Sequence, residues 1–342
     1  MAEADPDLWP RTLQTLVSGQ PLATEDATAA MRAIMAGDVT PGQVGGFLMA
    51  LRTKGETADE LDGLATAVLE FANPVTPPRP VLDTCGTGGD RSGTINISTL
   101  AAIVAAGAGA TVAKHGNRAA SSHCGSADLL EALGVKIDLE PAGVERCLAD
   151  VGIGFMFAPV FHPAFGHAGP VRRELRIPTS FNFLGPLTNP ARPTAQVVGV
   201  SDERMLPLMA DVLARRGTRA KLVRGADGID ELTTTGPSTV LDVRDGDVRE
   251  QVLDPRDLGI ARASVEDLHG GDADESARVA RAVLAGEPGP PRDVVVLNAG
   301  AALEVAGAAT DLGEGIELAA TSIDEGRAAA TLERWVAVSN GR

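Results

Sequence analysis

A glycine-rich segment, DTCGTGGDRSGTINIST (83–99), leads directly into the apolar, helix-like stretch LAAIVAAGAGA. Glycine residues leave backbone N–H groups free to approach a ligand, and a helix start adds unpaired N–H groups and a positive dipole end. This combination favours an anion, most often phosphate. By themselves the glycines more often indicate a flexible turn, and no Gly-Lys-Ser/Thr completes a Walker A loop. The hydroxyls of Ser98 and Thr99 either cap the helix or bind phosphate and Mg²⁺.

A second group of polar residues lies in KHGNRAASSHCGSADLLEALG (114–134), directly after a predicted strand. Two cations and three hydroxyls favour a second phosphate site there, and these are Lys114, Arg118, Ser121, Ser122 and Ser126. The alternative is a solvated loop in which Ser126 caps the following helix, and Ser126 can do both. His115 is equally consistent with a structural histidine.

Paired charges occur in two further segments. Asp230 and Glu231 are adjacent in GADGIDELTTTG, which follows another predicted strand. Neighbouring carboxylates commonly mark a solvated turn, but at a ligand-binding edge they suit Mg²⁺, which takes one or two carboxylates together with water and phosphate oxygens. Arg172 and Arg173 lie in PVRREL. Such a pair is usually surface charge, but it can also hold a substrate carboxylate.

The elements that position these residues fall into two groups. Residues 8–72 predict short helices, with capping boxes at Thr40 and Thr57 and another helix start at Thr24. Beyond a proline-rich linker, strand patterns alternate with helical ones, which predicts a mainly parallel sheet with helices on its faces. The strand patterns lie at 81–83, 111–116, 135–138, 153–159, 195–200 and 220–225. A hairpin turning at Asp245-Gly246 follows, and the C-terminal part is helical.

We therefore expect an α/β protein with a small all-helical N-terminal domain and a large α/β catalytic domain. The expected boundaries are 1–73 for the helical domain, joined by helices from about 164–190, then 73–80 for the linker and 78–342 for the catalytic domain. In such sheets, ligands bind beyond the carboxyl ends of the strands. The loops after Asp83, Lys114 and Gly225 would all lie at that edge.

The composition limits the possible functions. The chain has 342 residues, of which 44% are hydrophobic, so it can bury a sizeable core. With a net charge of −16 and 3% aromatic residues, it is poorly suited to general binding of nucleic acid or anionic membranes. Cys85, Cys124 and Cys147 show no CxxC spacing and predict reduced thiols. No signal-peptide pattern and no apolar run of about 20 residues is present, so we expect a cytoplasmic protein.

The motifs together carry a resemblance to a known family. GTGGD, NIST, KHGNRAASS with GSADLLEALG, PVRREL with FNFLGPLTNP, and DELTTTG occur in an order and spacing similar to those of the anthranilate phosphoribosyltransferases. The resemblance implies the nucleoside phosphorylase and phosphoribosyltransferase type of fold and a homodimer joined through the helical domains. It also implies transfer of the phosphoribosyl group of 5-phosphoribosyl 1-pyrophosphate (PRPP) to anthranilate, a step of tryptophan biosynthesis.

The resemblance also assigns residues. The residues that would hold the phosphoribosyl donor are Gly86, Gly89, Asp90, Thr94, Asn96, Ile97, Ser98, Thr99, Lys114, His115, Gly116, Asn117, Arg118, Ala119, Ala120, Ser121, Ser122 and Ser126. Mg²⁺ would be held by Ser98, Asp230 and Glu231. Anthranilate would contact Gly86, Asn117 and Arg172, with His115 close by. Lys114 and Arg172 would act electrostatically, and no residue is assigned as an acid or base. The sequence departs from the commonest family form at Cys85 and Arg91, where many members have an apolar residue and a glycine.

Three alternatives compete with this interpretation. A pyrimidine-nucleoside phosphorylase shares the architecture and the phosphate loop, but its reaction needs no Mg²⁺ at the acid pair. A non-catalytic relative that binds nucleic acid should have a basic groove, which the net charge of −16 disfavours. A transferase of the same kind that acts on another aromatic acid stays open.

Overall fold

The computed structural model describes Asp5, residues 7–119 and residues 123–342. The helices, in chain order, are α1 (Leu8–Val17), α2 (Thr24–Ala36), α3 (Pro41–Lys54), α4 (Ala58–Glu70), α5 (Ile97–Gly107), α6 (Ser126–Ala132), α7 (Pro141–Asp150), α8 (Ala158–Phe161), α9 (Gly169–Leu175), α10 (Phe181–Leu184), α11 (Met205–Arg215), α12 (Ala273–Leu284), α13 (Pro290–Val305), α14 (Leu312–Asp324) and α15 (Arg327–Ser339). The strands are β1 (Leu82–Gly86), β2 (Val112–Gly116), β3 (Ile153–Phe157), β4 (Ala195–Gly199), β5 (Arg219–Gly225), β6 (Ser238–Arg244) and β7 (Asp247–Leu253). None of the described helices is both long and apolar enough to span a membrane.

One compact unit, Met1–Asn73 with His162–Thr188, is helical. Both predicted capping boxes are confirmed, because the Thr40 and Thr57 hydroxyls accept from backbone N–H groups three residues later and the side chains there bond back. Helix α2 begins at Thr24 as predicted, although Ala23 is its N-cap and no side chain caps it. Trp9 on α1 packs edge-on against the buried ring of Phe47, with 5.9 Å between ring centroids.

The other unit, Pro74–Phe161 with Asn189–Arg342, contains the sheet. Its strand order is β3-β2-β1-β4-β5-β6-β7. The first five of these strands pair in parallel, and β6 and β7 add an antiparallel hairpin. The hairpin turns at Asp245 and Gly246, where both residues have positive φ. The predicted mainly parallel sheet is therefore confirmed.

The predicted strand at 135–138 is wrong. Val135 and Ile137 are buried and alternate with outward-facing residues, which is the pattern that suggested a strand. The backbone instead bonds to helices, since Val135 N donates to the Leu130 carbonyl and Lys136 N donates to the Ser339 hydroxyl. The segment is extended, but the N–H groups of Val135 and Lys136 already have partners on helices, so they are not paired with a neighbouring strand.

The core of this unit is built around helix α5. Helix α5 is buried along almost its whole length and packs against α13, α14 and α15. The buried Ser322 hydroxyl on α14 donates to the Val104 carbonyl on α5, and the buried Trp335 belongs to α15.

Because β1, β2, β4 and β5 pair in parallel, their carboxyl ends lie on the same side of the sheet, at Gly86, Gly116, Gly199 and Gly225.

Candidate active site

Two segments of irregular backbone meet at the carboxyl edge of the sheet. The glycine loop (87–96) follows β1, and the acid turn (226–237) connects β5 to β6. Asp230 Oδ2 accepts a hydrogen bond from Gly88 N at 2.7 Å, and Glu231 Oε1 accepts one from Ser98 N at 3.3 Å. The acid pair is thus held against the loop and the helix start that the sequence singled out for anion binding.

Burial makes this acid pair unusual. Burial raises the pKa of Asp230 to about 7, with the nearby charge of Asp90 adding to the effect. Burial likewise raises the pKa of Glu231 to about 8, and the negative charge of Asp230 contributes next. A cation placed beside them would therefore stabilise the ionised form of both carboxyls at neutral pH.

The donor atoms around the acid pair suit Mg²⁺ better than they suit a metal ion whose ligands all come from the protein. Over the described ranges, no group of three or more His, Cys, Asp or Glu side chains is arranged to hold a metal ion. Two carboxyls and the Ser98 hydroxyl leave several positions for water or ligand oxygens. Mg²⁺ favours this arrangement, in which substrate phosphates complete the coordination.

Lys114 supplies a buried positive charge beneath the acid pair. Its ammonium, in a side chain that is 2% exposed, donates to the Thr84 carbonyl at 2.5 Å and to Ser98 Oγ at 3.4 Å. Burial lowers the pKa of Lys114, while the nearby carboxylates, Asp83 most strongly, counteract that shift. The lysine links β1, β2 and the start of α5 in a single polar cluster.

Asp83, on β1, is the anionic end of that cluster. It accepts from the backbone of His115 at 3.2 Å and from the amide of Asn189 at 2.8 Å, and burial raises its pKa. The Asn189 amide also donates to the Ala113 carbonyl at 2.8 Å. His115 is itself buried, and its backbone is held by Asp83 and by pairing with β3.

Two glycines allow the acid turn to sit this close to the strands. A Cβ atom at Gly199 would overlap the Asp230 carbonyl oxygen, and one at Gly86 would overlap the Asp230 carboxylate. Neither glycine has a positive φ, so the requirement is for space and not for backbone freedom. Gly86 was predicted to line the site, whereas Gly199 was not recognised from sequence.

Asn96 connects the glycine loop to the segment after β2. It is the N-cap of α5, but its side chain makes no capping bond and instead donates to the Cys124 carbonyl at 3.0 Å. The alternative in which Ser98 or Thr99 caps this helix is therefore not what the structure has. In the part of the chain that the structure describes, Asn96 Oδ1 is buried without a hydrogen-bond partner, so it can accept from a ligand hydroxyl.

Arg118 is engaged by acidic residues of α6. Its guanidinium pairs with Asp128 at 2.8 Å and with Glu131 at 2.9 Å, and it lies 5.7 Å from the centre of the Phe157 ring. Asp128 also accepts from the N–H groups of Ala119 and Gly125, which shapes the described ends of this loop. The predicted direct contact of Arg118 with the donor stays a prediction.

The other predicted residues of this loop have varied positions. Gly116 ends β2, and a Cβ atom at this position would overlap the Ser126 hydroxyl and crowd the Phe155 ring. The Ser126 hydroxyl donates to the Asn117 carbonyl at 3.2 Å, and Gly125, not Ser126, is the N-cap of α6. Ala120, Ser121 and Ser122 lie outside the described residues.

The far part of the glycine loop is tied down by a segment that sequence reasoning missed. Thr94 forms an antiparallel bridge with His269, and Gly270 N donates to the Gly93 carbonyl at 2.7 Å. Asp90 accepts from the Ser92 hydroxyl at 2.5 Å. Gly89 has φ 84°, and Arg91 has φ 58° in the region that favours glycine. The departure from glycine at position 91 is therefore a locally strained residue.

Arg172 belongs to the helical unit, on α9. Its guanidinium is half-buried and lies 5.0 Å from the centre of the Phe181 ring, and burial lowers its pKa. Among the described residues, no carboxylate forms an ion pair with it, whereas surface arginines such as Arg32 are paired. An arginine with this environment can receive an external carboxylate.

Two family models match the chain. The helical bundle domain of the glycosyl transferase family matches residues 10–72, and the a/b domain of the same family matches residues 78–329. The two matches together cover most of the sequence. They divide it near the proline-rich segment after α4.

Named relatives and solved structures agree with these matches. An anthranilate phosphoribosyltransferase of Arthrobacter sp. is 55% identical over 346 residues, which cover 99% of this chain and 98% of that protein. The anthranilate phosphoribosyltransferase structure from Thermus thermophilus is 46% identical, with a TM-score of 0.92 over 96% of this chain and 99% of that one. The Saccharomyces cerevisiae enzyme, solved in complex with PRPP and Mg, is 29% identical with a TM-score of 0.91 over 99% of each chain.

Gly199→Ala tests the close approach of the acid turn. The added methyl would displace Asp230, so we expect at least about a tenfold weaker response to Mg²⁺ together with a lower melting temperature. Gly166→Ala is the control, because a Cβ at Gly166 meets nothing within 4 Å and its φ is not positive. Thermal unfolding across a Mg²⁺ titration gives both values. An unchanged Mg²⁺ response in Gly199→Ala would contradict the packing described here.

Mg²⁺ binding should depend on pH. Both carboxyls of the acid pair have a pKa raised to about 7 and about 8, so protons compete with the cation at and below neutral pH. Between pH 6.5 and 8.5 we expect the affinity to rise about a hundredfold, with release of protons on binding. Calorimetry in buffers of different ionisation enthalpy measures both. Affinity that does not change with pH would show that the acid pair does not bind the cation.

Proposed function

The chain belongs to the anthranilate phosphoribosyltransferase family, and we propose that it transfers the phosphoribosyl group of PRPP to the amine of anthranilate. The products are N-(5-phosphoribosyl)anthranilate and pyrophosphate, and the reaction belongs to tryptophan biosynthesis. The chain is a glycosyltransferase enzyme.

The observation that carries this proposal is the position of the acid pair. Asp230 and Glu231 hydrogen-bond to Gly88 N and Ser98 N, which belong to the two segments suited to phosphate. Asp230, Glu231 and Ser98 would hold Mg²⁺ here. When bound, Mg²⁺ supplies positive charge to the pyrophosphate oxygens, which the acidic background of the chain does not provide.

The chain's own groups complete the donor site. The N–H groups of the glycine loop would bind phosphate oxygens and stabilise the charge that develops as pyrophosphate leaves. Those of Ile97, Ser98 and Thr99 at the start of α5 already donate to Ile95, Glu231 and Asn96. Lys114 adds a fixed ammonium, held in place by Thr84 and Ser98. The unpartnered Asn96 Oδ1 accepts a hydroxyl of the ribose. Because Lys114 and Asn96 Oδ1 are buried and held by hydrogen bonds of their own side chains, these two groups need little reorganisation during the reaction.

Arg172 holds the carboxylate of anthranilate in this proposal. Its half-buried guanidinium provides a bidentate partner, and the face of Phe181 keeps it oriented. The anthranilate amine is neutral and already nucleophilic, so the reaction depends on positioning more than on a strong base. We assign no residue to proton transfer.

Two further parts of the proposal rest on the resemblance. A homodimer would join through the helical unit, where Val17 and Ile177 expose apolar side chains. A cytoplasmic location follows the sequence expectation.

Anthranilate's own fluorescence tests the reaction directly. In a mixture of protein, anthranilate, PRPP and Mg²⁺, we expect the signal to fall only when all components are present. The double variant Asp230→Asn/Glu231→Gln should lose at least about a hundredfold in rate, because the cation site loses both charges. A steady signal with the folded, unsubstituted protein would point to a different aromatic acceptor.

Arg172→Ala separates the two substrates. We expect the KM for anthranilate to rise about tenfold or more, with a much smaller change for PRPP, because a charge-assisted pair with the carboxylate is lost. Arg173→Ala is the matched control, since the neighbouring arginine is exposed. Steady-state kinetics of both variants decide this assignment. Equal losses for both substrates would indicate a general structural effect.

A further inference from the structure

The acid turn has no regular secondary structure, so its backbone polar groups need other partners. Between Gly225 at the end of β5 and Ser238 at the start of β6, the chain forms only turns and bends. Leu232, which follows the acid pair directly, is 1% exposed, so water cannot satisfy its backbone. The partner of this peptide therefore decides how firmly the acid pair is oriented.

That partner is Asn298, a polar residue in the middle of the buried helix α13. Its side-chain oxygen accepts from Leu232 N at 3.1 Å, and its amide nitrogen donates to the Leu232 carbonyl at 2.8 Å. The same nitrogen donates to the Val294 carbonyl at 2.8 Å, one turn earlier in the helix. The Asn298 side chain is 2% exposed. It thus bonds to both polar groups of one residue, 66 positions away in sequence.

We propose that Asn298 is a positioning residue for the cation site, acting on Glu231 through the backbone of Leu232. The Leu232 N–H belongs to the peptide plane that also carries the Glu231 carbonyl. Holding that plane restrains ψ of Glu231 and thereby limits the directions in which its side chain can leave the backbone. On the other side, the contact between Gly199 and the Asp230 carbonyl limits the turn, so the acid pair is located from both ends. The role in Mg²⁺ binding rests on the proposed function.

An amide is required for this task. A donor and an acceptor must face the same residue, and among side chains of this size asparagine offers both. Aspartate would keep the bond from the Leu232 N–H but would face two carbonyl oxygens without a proton to donate. An apolar residue would leave the Leu232 peptide buried and unsatisfied. In the sequence, this role is visible as a single amide within the apolar run VVVLNAGAAL.

The test compares Asn298→Ala and Asn298→Asp with Ser322→Ala. The control removes another fully buried hydrogen bond between a core helix and a backbone carbonyl, that of Ser322 to Val104, far in sequence from the acid turn. For each protein, melting temperature is followed over a Mg²⁺ titration at saturating PRPP, and Mn²⁺ binding is measured by electron paramagnetic resonance. Steady-state kinetics then give the KM for anthranilate.

All three variants should melt at lower temperature than the unsubstituted protein. In both Asn298 variants we expect the Mg²⁺ concentration for half-maximal stabilisation to rise about tenfold and Mn²⁺ binding to weaken equally, with the anthranilate KM unchanged. Ser322→Ala should keep the parental metal response. If Asn298→Ala does not fold, Asn298→Asp carries the same comparison.

The outcomes separate this inference from the function. Metal responses in the Asn298 variants equal to that of Ser322→Ala would show that Asn298 acts only in folding, and would overturn the inference while leaving the function intact. A parent protein that turns over anthranilate but shows no metal-dependent stabilisation would likewise overturn the inference alone. A parent with neither turnover nor stabilisation would overturn both.

Discussion

Buried negative charge at the carboxyl edge of the sheet determines how the rest of the site is built. Asp83 and Asp230 are buried and Glu231 is partly buried, in a chain that already carries a net charge of −16. A polyanionic donor could not approach this edge unless positive charge were placed there locally. Lys114, backbone N–H groups and a divalent cation meet that need at short range. The glycines are required because the backbone must come this close to the carboxyls and the ligand.

The sequence reveals those parts of the site whose signals are local. The glycine loop, the start of α5 and the acid pair were identified because turn formers, strand ends and adjacent charges stand next to each other in the chain. Gly199 and Asn298 were not identified, since each acts through a contact with a residue at least 31 positions away that no local pattern encodes. The prediction of a strand at 135–138 was wrong for the same reason. Buried and exposed residues do alternate there, but the backbone N–H groups donate to acceptors on neighbouring helices and not to a strand.

The residue types in a charged loop do not show by themselves whether a side chain contacts the ligand or another part of the protein. Arg118 carries the charge that a phosphate site needs, but here it binds Asp128 and Glu131 and faces Phe157. Those contacts organise the loop, and its backbone can serve a ligand without the guanidinium touching it. Arg91 shows a comparable compromise, because its left-handed backbone costs about 1 kcal/mol relative to glycine. In exchange, a positive charge stands in the glycine loop of an acidic protein.

The distribution of indole rings gives this protein a built-in optical label for each unit. The chain has two tryptophans and no tyrosine, so when it is excited in the indole absorption band, where phenylalanine does not absorb, its emission comes from Trp9 and Trp335. Trp9 is partly exposed beside Phe47 in the helical unit, whereas Trp335, on α15, is buried in the unit with the sheet. The two indoles therefore emit at different wavelengths, the buried one further to the blue. Spectral decomposition can follow the two units separately during denaturation without any added dye.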